Sequence, residues 1–306
     1  MGSVNFEILV DDSMVNLIEE GSEKQFLLGK TNDFEDGEWN YKRFEKYIFN
    51  KIYLTALSAR EREALIQTNE TYSILEESCK NIRLIDASSD KSKGSEIAEI
   101  LLYGIMSDYF KALPVVPKIY YKQNNNDFAK GADSVHIVLD VNGQDYTIWY
   151  GEAKFYKQLT KNEFNIIATS VQNALLSEKI RKENSIITDI KDLDILLKDD
   201  SRKDDILNLL NQNTSIDNIK LKLHIPIMLL YECPILSHTT ELTNEIKEAL
   251  KNEYLGIASQ YFDIQDTMCN EVFKYSEVTF HLILFPVKDK AKIVDSFCKK
   301  VKTFRS

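Results

Sequence analysis

The chain has 306 residues, 43% hydrophobic and 28% charged, the balance of an ordinary globular protein with room for one large domain or two modest ones. No apolar run approaches a membrane span, and MGSVNFEILV at the start lacks the basic region and cleavage site of a secretory signal, so a cytoplasmic protein without membrane association is expected. A net charge of −10 argues against gripping nucleic acid by bulk basicity, and Cys79, Cys233, Cys269 and Cys298 lie far apart with no CxxC, which argues against a zinc site or a disulfide framework.

In chain order, short strands are expected over Phe6 to Val10 and Gln25 to Leu28, followed by an acidic, turn-rich piece from Asn32 to Glu38. A helical region then runs from about Tyr41 to Arg83. The capping box Ser58-Ala59-Arg60-Glu61 splits it into two helices, and Phe44, Tyr47, Ile48 and Ile52 recur at helical spacing as core. This mainly helical region, residues 1–90, carries no recognisable chemistry. The polar break from Asp86 to Gly94 begins the second region, residues 91–306.

Ser95 is the expected N-cap of a helix reaching about Phe110, and Glu96 in its first turn suits the helix dipole. Glu99 has no such simple explanation. It heads the stripe Leu102, Met106 and Phe110 on a helix that is apolar nearly all round, so its carboxylate needs a partner. The run Val115 to Tyr121 reads as a strand and Lys122 to Phe128 as a polar loop.

The stretch from Lys130 to Tyr156 carries the chemistry. Asn142-Gly143 joins two segments rich in Val, Ile, Tyr and Trp, the pattern of a two-residue hairpin. If Val141 pairs with Gln144, the register places Leu139 opposite Tyr146, Ile137 opposite Ile148, Val135 opposite Tyr150 and Asp133 opposite Glu152. An apolar row thus ends in two carboxylates, with Lys154 on the same face two residues on. An acid-x-Lys triplet alone has little weight, since Glu245-Ile246-Lys247 and Asp189-Ile190-Lys191 occur too. The second strand, however, is apolar on both faces and reads as interior, where an acid and a lysine need a reason. A divalent cation between the acids is a natural compensation, and the chemistry it suggests is phosphodiester hydrolysis.

Downstream, Thr160-Lys161-Asn162-Glu163 is a second capping box, opening a helix with Phe164, Ile167, Ala168, Val171 and Leu175 on one side. Gln172 on that helix reads as a polar surface residue, and His136 and His281 read as structural. Residues 189–217 form a charged helical insertion. Leu221 to Tyr231 is a strand in which Pro226 demands a bulge or an edge. Glu241 to Leu250 is a helix, Val278 to Phe285 a strand ending at Pro286, and the basic stretch Lys288 to Arg305 a helix with a solvated face.

Asp133, then Glu152-Ala153-Lys154 on the next strand, preceded by a helix bearing Glu99, resembles the PD-(D/E)xK nuclease core. The resemblance covers about Gly94 to Glu232 and implies a restriction-endonuclease-like α/β fold, a mixed central sheet flanked by helices. Ala132 stands where the founding motif has proline, which puts backbone shape rather than ligation in question. GSEIAEILLYGIM, GADSVHIV and WYGEAKFY are more narrowly similar to the HamA family, the nuclease subunit of the Hachiman anti-phage defence system.

The resemblance implies a Mg²⁺- or Mn²⁺-dependent DNA nuclease held in a heteromeric complex with a helicase, HamB. Asp133, Glu152 and the carbonyl of Ala153 would ligate the metal, Lys154 would serve the water, and Glu99 would support them. The alternative is an inactive module of the same fold that docks on the helicase; an intact acid, acid and lysine set speaks against it.

Overall fold

The computed structural model describes residues 24–83, 94–123 and 131–305, apart from Val141, Gln144, Lys191, Asp199 and Gln212, together with the backbone of two short strands at 7–8 and 15–16. The expected break before Gly94 and most of the expected loop from Lys122 to Phe128 lie outside these residues.

Strand β1 is Gln25–Thr31 and helix α1 is Tyr41–Lys51. Three short helices follow, Tyr53–Ala56, Ala59–Gln67 and Thr71–Lys80, the second opened by the Ser58–Glu61 capping box with both of its hydrogen bonds formed. Helix α2 (Ser95–Asp108), strand β2 (Leu113–Val116) and helix α3 (Lys118–Gln123) lead to the hairpin of β3 (Ser134–Leu139) and β4 (Tyr146–Tyr156). Helices α4 (Lys161–Ala174) and α5 (Ser177–Ile190) come next, then short helices at Asp192–Leu196, Lys203–Leu210 and Ile216–Lys220. Strand β5 (Leu223–Glu232), helix α6 (Asn244–Cys269), strand β6 (Thr279–Val287) and helix α7 (Lys290–Arg305) complete the chain.

The six principal strands form one mixed sheet in the order β1-β6-β5-β4-β3-β2, parallel from β1 to β4 and antiparallel from β4 to β2. Strand β1 thus brings the N-terminal region into the same sheet as the hairpin. Parallel neighbours need long crossovers, which the α4-to-α5 region and α6 supply. Helix α2 lies on one face of β4, because a Cβ on Gly151 would point at Leu102, 2.9 Å away. Helices α4 and α5 lie over the other, where Ser170 and Asn184 bond Glu152 and Tyr150. Helix α1 packs outside α2, so α2 is covered on both sides and buried from Ile97 to Met106. This α/β arrangement is compatible with a restriction-endonuclease-like core.

The hairpin register is the expected one, with Leu139 opposite Tyr146, Ile137 opposite Ile148 and Val135 opposite Tyr150. The flanking pair Val141 and Gln144 lies outside the described residues. Other expectations need correction. The N-cap of α2 is Gly94 in a left-handed conformation (φ 88°), not Ser95, which is the first helical residue. The strand expected over Val115 to Tyr121 stops at Val116, and after Pro117 the chain turns into α3. There the Ile119 N–H bonds to Thr55 Oγ1 and Tyr103 Oη caps the Val116 carbonyl at 2.5 Å. The helix expected over Glu241 to Leu250 begins at Asn244 and runs on to Cys269. Strand β6 passes through Pro286 to Val287.

Pro226 lies in an interior strand without a bulge. Strands β4 and β5 keep one register from Ile148↔Leu223 to Glu152↔Ile227, but Tyr150 and Gly151 form no ladder pair beside Ile225 and Pro226. Opposite the proline, Gly151 permits close approach: a Cβ there would meet Ser134 Oγ at 2.2 Å, Leu102 Cδ2 at 2.9 Å and Pro226 Cγ at 3.1 Å. The Pro226 ring is held within the sheet, and the buried Ser134 hydroxyl would have to turn away from its place. Gly151→Ala should therefore destabilise the protein by about 1–3 kcal/mol, the usual cost of overpacking, read as a lowered urea midpoint at unchanged m-value.

Candidate active site

The hairpin ladder ends at Ser134↔Gly151, one residue short of the expected Asp133 and Glu152 pair. Asp133 instead donates its N–H to the Gly151 carbonyl (2.8 Å), and its Oδ2 accepts from the Ala153 N–H (3.1 Å). A side-chain carboxylate has taken the place of a backbone acceptor at the strand end, and this fixes the rotamer of Asp133. Lys154 then draws three oxygens to one point. Its Nζ lies 3.0 Å from Asp133 Oδ2, 2.5 Å from Glu152 Oε1 and 3.3 Å from the Ala153 carbonyl oxygen. The side chains of Asp133, Glu152 and Lys154 are 20%, 12% and 29% exposed, so the cluster remains open to a solvent-borne ligand.

Ser170 on α4 donates to Glu152 Oε1 at 2.8 Å, so the oxygen that meets Lys154 is also held from the helix. The serine escaped notice in the sequence, although a signal exists. Ser170 follows the core residue Ile167 by one helical turn, so it borders the apolar stripe that α4 lays on the sheet. Gln172, two residues on, instead donates to the Met268 carbonyl and ties α4 to α6.

Glu99 is buried, and its Oε1 is paired with Lys122 of α3 at 2.5 Å. Its Oε2 finds no hydrogen-bond partner among the described residues. It stands beside the cluster electrostatically without sharing a contact in it. Burial raises its carboxyl above the ordinary glutamate range, and the nearby charge of Asp133 raises it further. Glu96 lies further out, accepting the Arg83 N–H at 2.9 Å, and burial pushes its carboxyl up to about 7. Among the described residues no three His, Cys, Asp or Glu side chains form a ready-made metal-binding group.

Charge balance explains the remaining shifts. Glu99, Asp133 and Glu152 face Lys122 and Lys154, three carboxylates against two ammoniums. Burial and the neighbouring Asp133 raise the Glu152 carboxyl. Burial works against the charged form of Lys154 too, but Asp133 and Glu152 outweigh it and the ammonium keeps its proton. The same contest at Lys122 is decided by Glu99 and Asp133.

His136 is fully buried against the Tyr103 ring, and His281 is stacked on Trp149 and bonded to His224, so both are packing residues. The four cysteines are free thiols. The basic C-terminal stretch is less solvated than expected: Lys288 and Lys290 donate to the Thr239 and Phe155 carbonyls, Lys300 pairs with Glu45, and Arg305 bonds to the Cys79 carbonyl. No helix among the described residues is long and apolar enough to cross a membrane.

No protein of curated function matches the sequence. A family model described as HamA matches residues 6–301, nearly the whole chain and all of the elements that carry the cluster. The chain therefore belongs to the HamA family and is a Hachiman-associated antiviral defence protein.

Proposed function

We propose that this protein is a Mg²⁺- or Mn²⁺-dependent DNA nuclease, the effector of a defence complex in which a helicase partner engages the DNA. The observation that carries this reading is the convergence of Asp133 Oδ2, Glu152 Oε1 and the Ala153 carbonyl on a single cationic point, the Lys154 ammonium. Hard oxygen donors gathered on one cation suit a hard divalent ion, and the surplus carboxylate together with the orphaned Glu99 Oε2 supplies the charge such an ion would neutralise. When bound, the ion would offset charge at the scissile phosphate and acidify a water.

In this reading Asp133 and Glu152 hold the ion. The Ala153 N–H and Ser170 keep their two carboxylates aimed. Lys154, released from the acids it now bridges, stays on their face of β4 to orient the water or meet charge developing on the phosphate. Glu99, secured by Lys122, deepens the negative field behind them. The net charge of −10 makes an independent grip on DNA weak, which supports dependence on the partner.

Plasmid degradation with Mg²⁺ or Mn²⁺, with and without the helicase, tests the reading. Glu152→Ala and Lys154→Ala should each lower cleavage on the order of 10²-fold or more. Equal activity in all three proteins would place the active site elsewhere. Absence of cleavage even with the helicase would favour the docking module.

A second test uses the raised carboxyls. Burial and the neighbouring Asp133 raise both the Glu152 and the Glu99 carboxyl, so their contribution to stability is greatest below the ordinary glutamate pKa and falls as pH rises through the raised values. Protons compete with the cation for the Glu152 oxygens, so cation binding strengthens over that rise. Mn²⁺ should raise the melting temperature by a margin that grows as pH climbs above the ordinary glutamate range, read at about pH 5 against about pH 8. Equal shifts at the two pH values would dissociate these carboxyls from metal binding.

A further inference from the structure

Asp133 stands just outside the hairpin ladder, where strand pairing no longer fixes the backbone ahead of it. The preceding residue is Ala132, which lacks the ring constraint of a proline. A buried carboxylate from α5 reaches this point. Glu183, 4% exposed, accepts the Ala132 N–H at Oε1 (2.9 Å), and its Oε2 pairs with Lys118 Nζ (2.8 Å), a fully buried side chain. Gly131 completes the fit. It has φ +136°, and a Cβ on it would lie 1.6 Å from Glu183 Oε1, so the carboxylate packs directly against the backbone.

Lys118 and Lys122 are four residues apart on α3 and share a face of that helix. The first secures Glu183 and the second secures Glu99. A buried ion pair is weak evidence for stability in itself, since an apolar pair of similar volume often serves as well. Here one partner also holds the backbone immediately before a candidate metal ligand, in the way that outer-shell partners orient ligands.

We infer that Glu183, held by Lys118, is the positioning residue for Asp133: it clamps the Ala132 backbone and so sets where the Asp133 carboxylate meets the Ala153 N–H and the cation point. The clamp does by hydrogen bond and ion pair what a proline would do by its ring. The inference rests on the nuclease reading above.

Two double variants separate positioning from packing. Glu183→Gln with Lys118→Met removes both charges but leaves a side-chain oxygen for the Ala132 N–H. Glu183→Leu with Lys118→Met removes that oxygen too while filling the same space. Each is compared with wild type in Mn²⁺ affinity by calorimetry and in plasmid cleavage with the helicase present, kcat and KM being separated. The Gln/Met protein should stay within about threefold of wild type, whereas the Leu/Met protein should lose about 10- to 100-fold in Mn²⁺ affinity and in kcat with KM for DNA little changed.

A folded Leu/Met protein with wild-type affinity and kcat overturns the inference, as does an equal loss in both doubles. Gly131→Ala reaches the clamp from the other side, displacing the Glu183 carboxylate while both charges remain. It should weaken Mn²⁺ binding similarly, and unchanged affinity in it overturns the inference; since any side chain at φ +136° also strains the backbone, Glu183→Met with Lys118→Met, a second apolar filling of the pair, decides the matter if the Leu/Met protein does not fold. A wild type that neither binds Mn²⁺ nor cleaves with the helicase overturns the nuclease reading and the clamp with it. An active wild type with unaffected variants overturns the clamp alone.

Discussion

Carboxylates drawn to the end of a buried strand repel one another unless cations are built in beside them. At an effective dielectric of about 20, two like charges about 4 Å apart cost on the order of 4 kcal/mol, a large part of the stability of an ordinary domain. Much of the local architecture follows from meeting that constraint. Lys154 bridges Asp133 and Glu152 from within their own strand pair, and Lys122 reaches Glu99 from α3. Lys118, one turn earlier on α3, neutralises Glu183. The short helix α3 is therefore more than a connection between β2 and the hairpin, because it delivers two ammoniums to glutamates on two other helices.

The parts of this arrangement governed by local periodicity were legible in the sequence. Side-chain alternation fixes the strand faces, so Val135, Ile137 and Leu139 face the residues expected of them, while the turn closes with the Gly143 N–H donating to the Asp140 carbonyl. Both capping boxes formed because their hydrogen bonds close within four residues. Glu99 could be singled out because a carboxylate heading an apolar stripe must find a partner, although the identity of that partner was out of reach. The sequence places Lys122 in a loop, since Ile119-Tyr120-Tyr121 has the composition of a strand and only tertiary contacts turn it into a helix.

The misplacements have a common physical origin in substitutions for backbone hydrogen bonds. Asp133 leaves the ladder because its own carboxylate accepts the Ala153 N–H, an option that a pairing count does not include. Pro226 sits in an interior strand because its missing donor falls where β4 forms no ladder pair and Gly151 offers room. In both places a side chain, or the lack of one, replaces a regular ladder contact next to Glu152. Irregular pairing close to the candidate site is what allows Asp133 to aim along the strand end instead of across it.

The same strand end also accounts for the use made of the basic C-terminal helix. Lys290 donates to the Phe155 carbonyl, one residue beyond Lys154, and the Phe155 ring packs with Val294 around Gly94 at the start of α2. Helix α7 thereby joins β4 to the helix that carries Glu99. Lys292 lies over the Tyr41 ring and Lys300 pairs with Glu45, which fastens the helix to α1 as well. Cations committed to internal carbonyls, rings and carboxylates bind DNA phosphates less readily, and the chain already carries a net charge of −10. The most basic stretch of the sequence thus serves largely to hold the site's scaffold together, and in the proposed function the grip on DNA falls to the partner.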